Sequence, residues 1–197
     1  MTAQKPMVSE VSICNQALSI LGHEPITSFA DQSKASEWCR NNYPFLRDAV
    51  IQERMWAFAI FRWSSESADF DNWDHAYVHP IPPGCLHVHR VFCTPYANRV
   101  VNDWTIEGNN IITVEPTIYV ISTQRVNDTG KFPPMFVQLL ATRIAAEAST
   151  ALTGNPGLMQ TLWIKYQSLL KDTASRDGQQ GAREVINHGR LTTRGRL

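Results

Sequence analysis

The sequence carries no excess of either charge: 18 Lys and Arg stand against 18 Asp and Glu in 197 residues. A protein that collects nucleic acid through a global basic field is thereby excluded. Nor does it hold an apolar run near the roughly 20 residues that cross a bilayer. Its start, MTAQKPMVSEVSICNQ, shows neither an apolar signal core nor a small-residue cleavage site. The expectation is a protein made and kept in a cytosol-like space, without a membrane partner. Cys14, Cys39, Cys85 and Cys93 form no CxxC pair, so reduced, mostly buried thiols are expected. No glycine loop of the phosphate-cradling kind occurs, and Ser64 and Ser65 lack the glycines of a nucleophile elbow.

What is present suits one domain, or one domain with an insertion. Hydrophobic residues make up 43% and charged residues 18%, which leaves much uncharged polar surface for contacts with protein. A chain of this length buries roughly 70% of its unfolded surface. Val11, Cys14, Ala17, Leu18 and Leu21 recur at helical spacing, with Gly22 as the cap and Pro25 beyond it. A second run, Ala35, Trp38, Cys39, Tyr43, Leu46 and Val50, starts from Asp31 or Ser33. Pro44 predicts a kink or restart within it.

From Ser64 to Gly130 the pattern turns to short strands: Leu86 to Phe92, Asn98 to Val101, Trp104 to Glu107, Ile111 to Val114 and Thr117 to Gln124. Gly108, Asn109 and Asn110 suit a tight hairpin turn, and the expectation is one small antiparallel sheet. The helical period returns after Pro133 and Pro134 with Phe136, Leu140, Ile144, Ala148 and Leu152, and ends at Gly154. Ala141, Ala145 and Ala148 make a small-residue row for close helix approach. Pro156 opens a last helix whose apolar face is Met159, Leu162, Tyr166, Leu169, Leu170 and Thr173. The predicted fold is α+β: residues 1–63 and 133–177 supply two helices each to one bundle, 64–132 form an inserted antiparallel β domain, and 178–197 are an extended arm.

Three groups invite chemical readings. Cys85, His87 and His89 in CLHVHR would share a strand face, with His75 and His79 a loop away, which outlines a metal site of sulfur and nitrogen ligands. The competing reading places both histidines on a solvated or subunit-facing side, and it is the one adopted, with no metal and no cofactor. Glu66, Asp69, Asp71 and Asp74 resemble a carboxylate or cation site, but adjacent loop acids are ordinarily solvated, and no apolar pocket marks one for a raised pKa. Trp38, Trp56, Phe58, Phe61 and Trp63 have only Arg54 and Arg62 beside them, so they read as core and subunit contacts rather than base-stacking platforms. A metal-dependent or hydrolytic enzyme using this β domain is the alternative to a non-enzymatic role.

The assembled pieces resemble the head-to-tail adaptor proteins of short-tailed phages, the tail tubular protein A family. The resemblance rests on ICNQALSILGHEPITSFADQSKASEWC, RDAV, Trp56 to Ala59, IPPGCLHVHRV, IEGNNIIT and FPPMFVQLLATRIAAEASTALTG, in the family's order. It implies a structural, non-enzymatic virion protein at the head–tail junction, made in the host cytoplasm. Twelve copies would form a ring between the portal protein and the tail nozzle protein, tail tubular protein B. Double-stranded DNA would pass through without sequence-specific binding. A neutral bore suits that traffic, because each phosphate contact strengthens binding to DNA that must be released.

The chain finishes NHGRLTTRGRL. From Gly178 onward four arginines face one glutamate, a side-chain charge of +3 that leaves −3 on the remainder. Such a segment cannot bury enough surface to fold alone. Arg183, Arg190, Arg194 and Arg196 can pair with carboxylates, and Leu191 and Leu197 can plug small apolar pockets. These six residues are the expected partner-binding set, with the portal as the partner the resemblance implies.

Overall fold

The computed structural model describes residues 8–67 and 77–179. Within them the chain is α+β, with four α-helices and two small antiparallel sheets. Helix α1 spans Glu10–Ile20. Ser9 and Ser12 cap it reciprocally, each side-chain oxygen accepting from the other's backbone N–H. It closes in a Schellman turn: His23 N–H donates to the Leu18 carbonyl at 2.9 Å and Gly22 N–H to that of Ser19 at 3.1 Å. Gly22 sits at φ 68°, where a Cβ would be strained.

Helix α2, Lys34–Gln52, is capped by Ser33, not Asp31; Asp31 instead binds Thr27 and Ser28 in the preceding loop. Of the kink or restart expected at Pro44, the restart does not occur: the helix continues through the proline. The carbonyl that loses its donor there belongs to Arg40, an exposed residue, so water can take the place of the missing bond. Helix α3, Pro134–Thr153, ends on Gly154 with φ 68°, and α4, Pro156–Gln179, runs back along it. The four helices share one core. It includes Ile13 and Leu18 of α1, Tyr43 and Val50 of α2, Leu140 and Ile144 of α3, and Leu162 and Tyr166 of α4.

The single sheet expected between them is two. Strands β1 (Ile60–Glu66), β6 (Thr117–Gln124) and β3 (Cys85–Phe92) form one, in the order β1-β6-β3. Strands β2 (Tyr77–Pro80), β5 (Asn110–Thr113) and β4 (Trp104–Glu107) form the other, in the order β2-β5-β4. Val88, Val91, Ile111, Ile118 and Val120 pack between them as a second core. The β4–β5 turn places Gly108 at φ 59°, as a type II′ hairpin needs at its first turn residue. Asn98 to Val101 is not a strand. A turn at Pro95 and Tyr96, followed by a left-handed Ala97 at φ 53°, brings those residues back to β3 for one bridge, Phe92 to Val100, with Cys93 N–H donating to the Arg99 carbonyl and Val101 N–H to that of Val91.

The β segment leaves the helices and returns at one place. Ile60 of β1 lies opposite Thr123 of β6. Beside that pair, Trp56 and Phe58 meet Phe132 and Phe136, with centroids 5.3 Å apart for Trp56–Phe136 and 4.7 Å for Phe58–Phe136. Trp56 is 1% exposed, and its indole N–H donates to the Val50 carbonyl at 2.9 Å. Trp56→Ala therefore removes packing and leaves a buried acceptor without its donor. Loss of a buried aromatic of this size costs about 3–5 kcal/mol. Chemical denaturation is expected to show that loss as a lower midpoint; an unchanged midpoint would contradict the packing described.

Candidate functional site

Strand β3 was expected to line up Cys85, His87 and His89. Two register shifts against β6, between Cys85 and His87 and between Val88 and Arg90, break the alternation that the expectation relied on. Cys85 packs against the β core, where burial pushes its thiol pKa up. His87 is exposed. His89 is half-buried, with Nε2 at 2.7 Å from the Thr123 hydroxyl, and the two imidazole centroids are 4.7 Å apart. The structure thus brings the histidines together without the cysteine. Among the described residues no group of three His, Cys, Asp or Glu is placed to hold a metal ion.

His79 lies on β2, fully buried. Its Nε2 is 3.0 Å from the Glu115 carbonyl, and its Nδ1 has no hydrogen-bond partner among the described residues. Of the acidic run, Glu66 is exposed at the end of β1. Asp69, Asp71, Asp74 and His75 lie outside the described residues. Cys14 and Cys39 are buried and free; the hydrogen bond between their thiols, with burial, pushes the Cys14 pKa up and keeps it protonated.

The aromatic run divides. Trp56 and Phe58 belong to the junction, and Trp63 donates from its indole to Ser122 Oγ at 3.2 Å and packs on the β core. Phe61 is exposed. The six residues expected to bind a partner, Arg183, Arg190, Leu191, Arg194, Arg196 and Leu197, lie outside the described residues.

Two features of the helices escaped the periodic reading. Phe45 is 76% exposed on α2, and Ile164 is 71% exposed on α4. Both stand out of phase with the buried stripe of their helix, and that phase mismatch is the signal that marks them in the sequence. Ile164 joins Met159 and Trp163 in a groove of about 320 Å³ with Gln160 and Glu147 at its edge. Behind it, the Arg143 guanidinium lies 4.2 Å from the Trp163 ring centroid and pairs with Glu53 and Glu147, each at 3.2 Å. The Tyr166 hydroxyl donates to the second Glu53 oxygen at 2.6 Å. Burial, then that carboxylate, holds the Tyr166 phenol protonated far above its ordinary range. A larger, more open valley of about 540 Å³ lies where Asn15, Gln138, Thr142 and Lys165 meet.

In comparisons with known proteins the chain matches no family model and no curated protein. Its surfaces therefore carry the functional argument. Among the described residues, Phe45, Met159 and Ile164 are exposed on helices, and Met55, Phe61, Tyr96, Val100, Ile106 and Val114 are exposed on loops and strands.

His89 offers a pH test. Burial, then His87, then Arg90 hold its pKa below the ordinary 6.5. The neutral ring is thus favoured in the folded protein, and the stability it contributes is present above the unfolded value and lost as pH falls through the folded one. Melting temperature is expected to drop below pH 6.5, and His89→Gln is expected to flatten that part of the drop. An identical pH dependence in the variant would contradict the assignment.

Proposed function

We propose that this chain is a ring-forming head-to-tail adaptor of a short-tailed phage. Helices from both ends of the chain supply the bundle, the β segment is inserted between them, and the basic C-terminal residues, which lie outside the described residues, supply a partner contact. The observation that carries the reading is the outward apolar surface of α2 and α4. Phe45, Met159 and Ile164 are large apolar side chains held on helices that already have a full core. These side chains are available for contacts with other protein.

Two further points support it. The ordered set of motifs from ICNQALSILG to ASTALTG resembles that family's layout. The balanced charge suits a conduit, whose wall must not retain the double-stranded DNA passing it. Twelve copies would sit between portal and nozzle protein in the virion, joined by protein contacts and without catalytic activity of their own. Among the described residues no helix is long and apolar enough to cross a membrane.

The arm supplies the portal contact. Its net +3 and its two leucines fit an acidic groove with small apolar pockets. Light scattering is expected to show a rise when the full chain meets portal rings and little rise without them. A chain ending at Gln179 keeps α4 whole and is expected to melt normally while failing to dock. Unchanged docking by the shortened chain would refute the role of the arm; no scattering change with the full chain would refute the adaptor reading.

A further inference from the structure

We propose that His87 and His89 form a two-imidazole site on edge strand β3 for a divalent late first-row transition metal ion, with copper(II) held most tightly. The site does not depend on the ring reading. In a regular strand, residues two positions apart are separated by about 6.5 Å along the chain. The register shift between Val88 and Arg90 puts His89 at an irregularity of the ladder, and the two rings close to a centroid distance of 4.7 Å, inclined at 61°. His87 is exposed and His89 half-buried, so an ion reaches the pair from water.

That spacing fits a shared ion. With metal–nitrogen bonds of about 2.0–2.1 Å, two imidazoles bound to one ion at angles between square and tetrahedral hold their centroids roughly 4.5–5 Å apart. His89 is also held in place. Its Nε2 lies 2.7 Å from the hydroxyl of Thr123, a residue with no exposed surface. The tautomer in which Nε2–H donates to that hydroxyl leaves the lone pair on Nδ1 for the metal. A partner on the far nitrogen is how metal-binding histidines are fixed in tautomer and orientation. Burial, then His87, then Arg90 keep the ring neutral at neutral pH, so no proton has to be displaced.

The donor set chooses the ion. Cys85 packs on the β core and supplies no thiolate, and among the described residues no carboxylate joins the pair as a third ligand. Calcium and magnesium ask for oxygen, and soft ions ask for sulfur. Two neutral imidazoles suit copper(II), nickel(II) and zinc(II), and copper(II) leads that order of affinity. Two protein ligands leave the remaining positions to water, and the exposed Arg90 beside them repels a cation. The site is therefore an exchangeable one at the surface and not a structural centre, which would be closed by four ligands.

Copper(II) titrated into the metal-free full chain at neutral pH tests the site, followed by calorimetry and by the nitrogen hyperfine pattern of the copper electron-spin resonance. Saturable binding of one ion per chain, with two coordinated imidazole nitrogens, is expected. His87→Gln changes an exposed position, so its melting curve is expected to be unchanged. Its affinity for copper(II) is expected to fall by about tenfold or more, since even an outer partner of a metal ligand is worth that much. Cys85→Ser and the exposed His23→Gln are expected to bind as the unaltered chain does. Absence of saturable binding, equal binding by His87→Gln, or a loss as large in Cys85→Ser or His23→Gln would each overturn the site.

Discussion

The fold depends on one constraint: the chain must leave the helical core for the β segment and come back to it at the same point. The edge-to-face cluster of Trp56, Phe58, Phe132 and Phe136 meets that constraint. Trp56 and Phe58 precede β1, and Phe132 and Phe136 follow β6, so exit and return are joined through their side chains. The β1–β6 ladder then continues the pairing outward from Ile60 and Thr123. Aromatic pairs of this geometry add about 0.5–1.5 kcal/mol each beyond their buried area, enough to hold the two ends together against loop-closure entropy.

Charge reinforces the same junction. Arg47, 7% exposed at its side chain, lies 2.9 Å from Asp48 and 3.7 Å from Glu10 of α1. Asp48 also accepts from Arg125 Nε at 2.6 Å, and Arg125 N–H donates to the Gly84 carbonyl at 2.8 Å. One carboxylate thereby connects α2 to the end of β6 and the start of β3. A buried guanidinium is costly without its partner, so this network fixes orientation more than it adds stability. Arg143 plays the corresponding part between α3, α4 and the end of α2, and it turns the Trp163 face into a firm wall.

Elements with strong period and clear stops were legible in the sequence. The Val11 to Leu21 stripe with Gly22, the Phe136 to Leu152 stripe with Gly154, the hairpin around Gly108 and the strand from Thr117 all appear close to where the pattern puts them. Strands β1 and β2 were not legible. Ile60–Glu66 is rich in aromatics that also suit a helix end, and Tyr77–Pro80 is a short edge strand finishing on proline, which an edge tolerates because it needs no donor on its open side. Alternation could not show that β3 is bulged, and so could not show that Cys85 parts from His87 and His89. Phe45 and Ile164 were hidden for a different reason: a periodic reading collects residues in phase with the core and passes over apolar residues that are out of phase.

Those out-of-phase residues turn a well-packed monomer into a candidate building block. The core is complete without them, so they are available for contact with a partner. The central claim is that this partner is a ring of like copies seated on a portal. Cryo-electron microscopy of portal rings with the full chain added tests it most directly. The account predicts an added layer with twelve copies of this α+β subunit around an open bore; portal rings identical with and without the protein would contradict it.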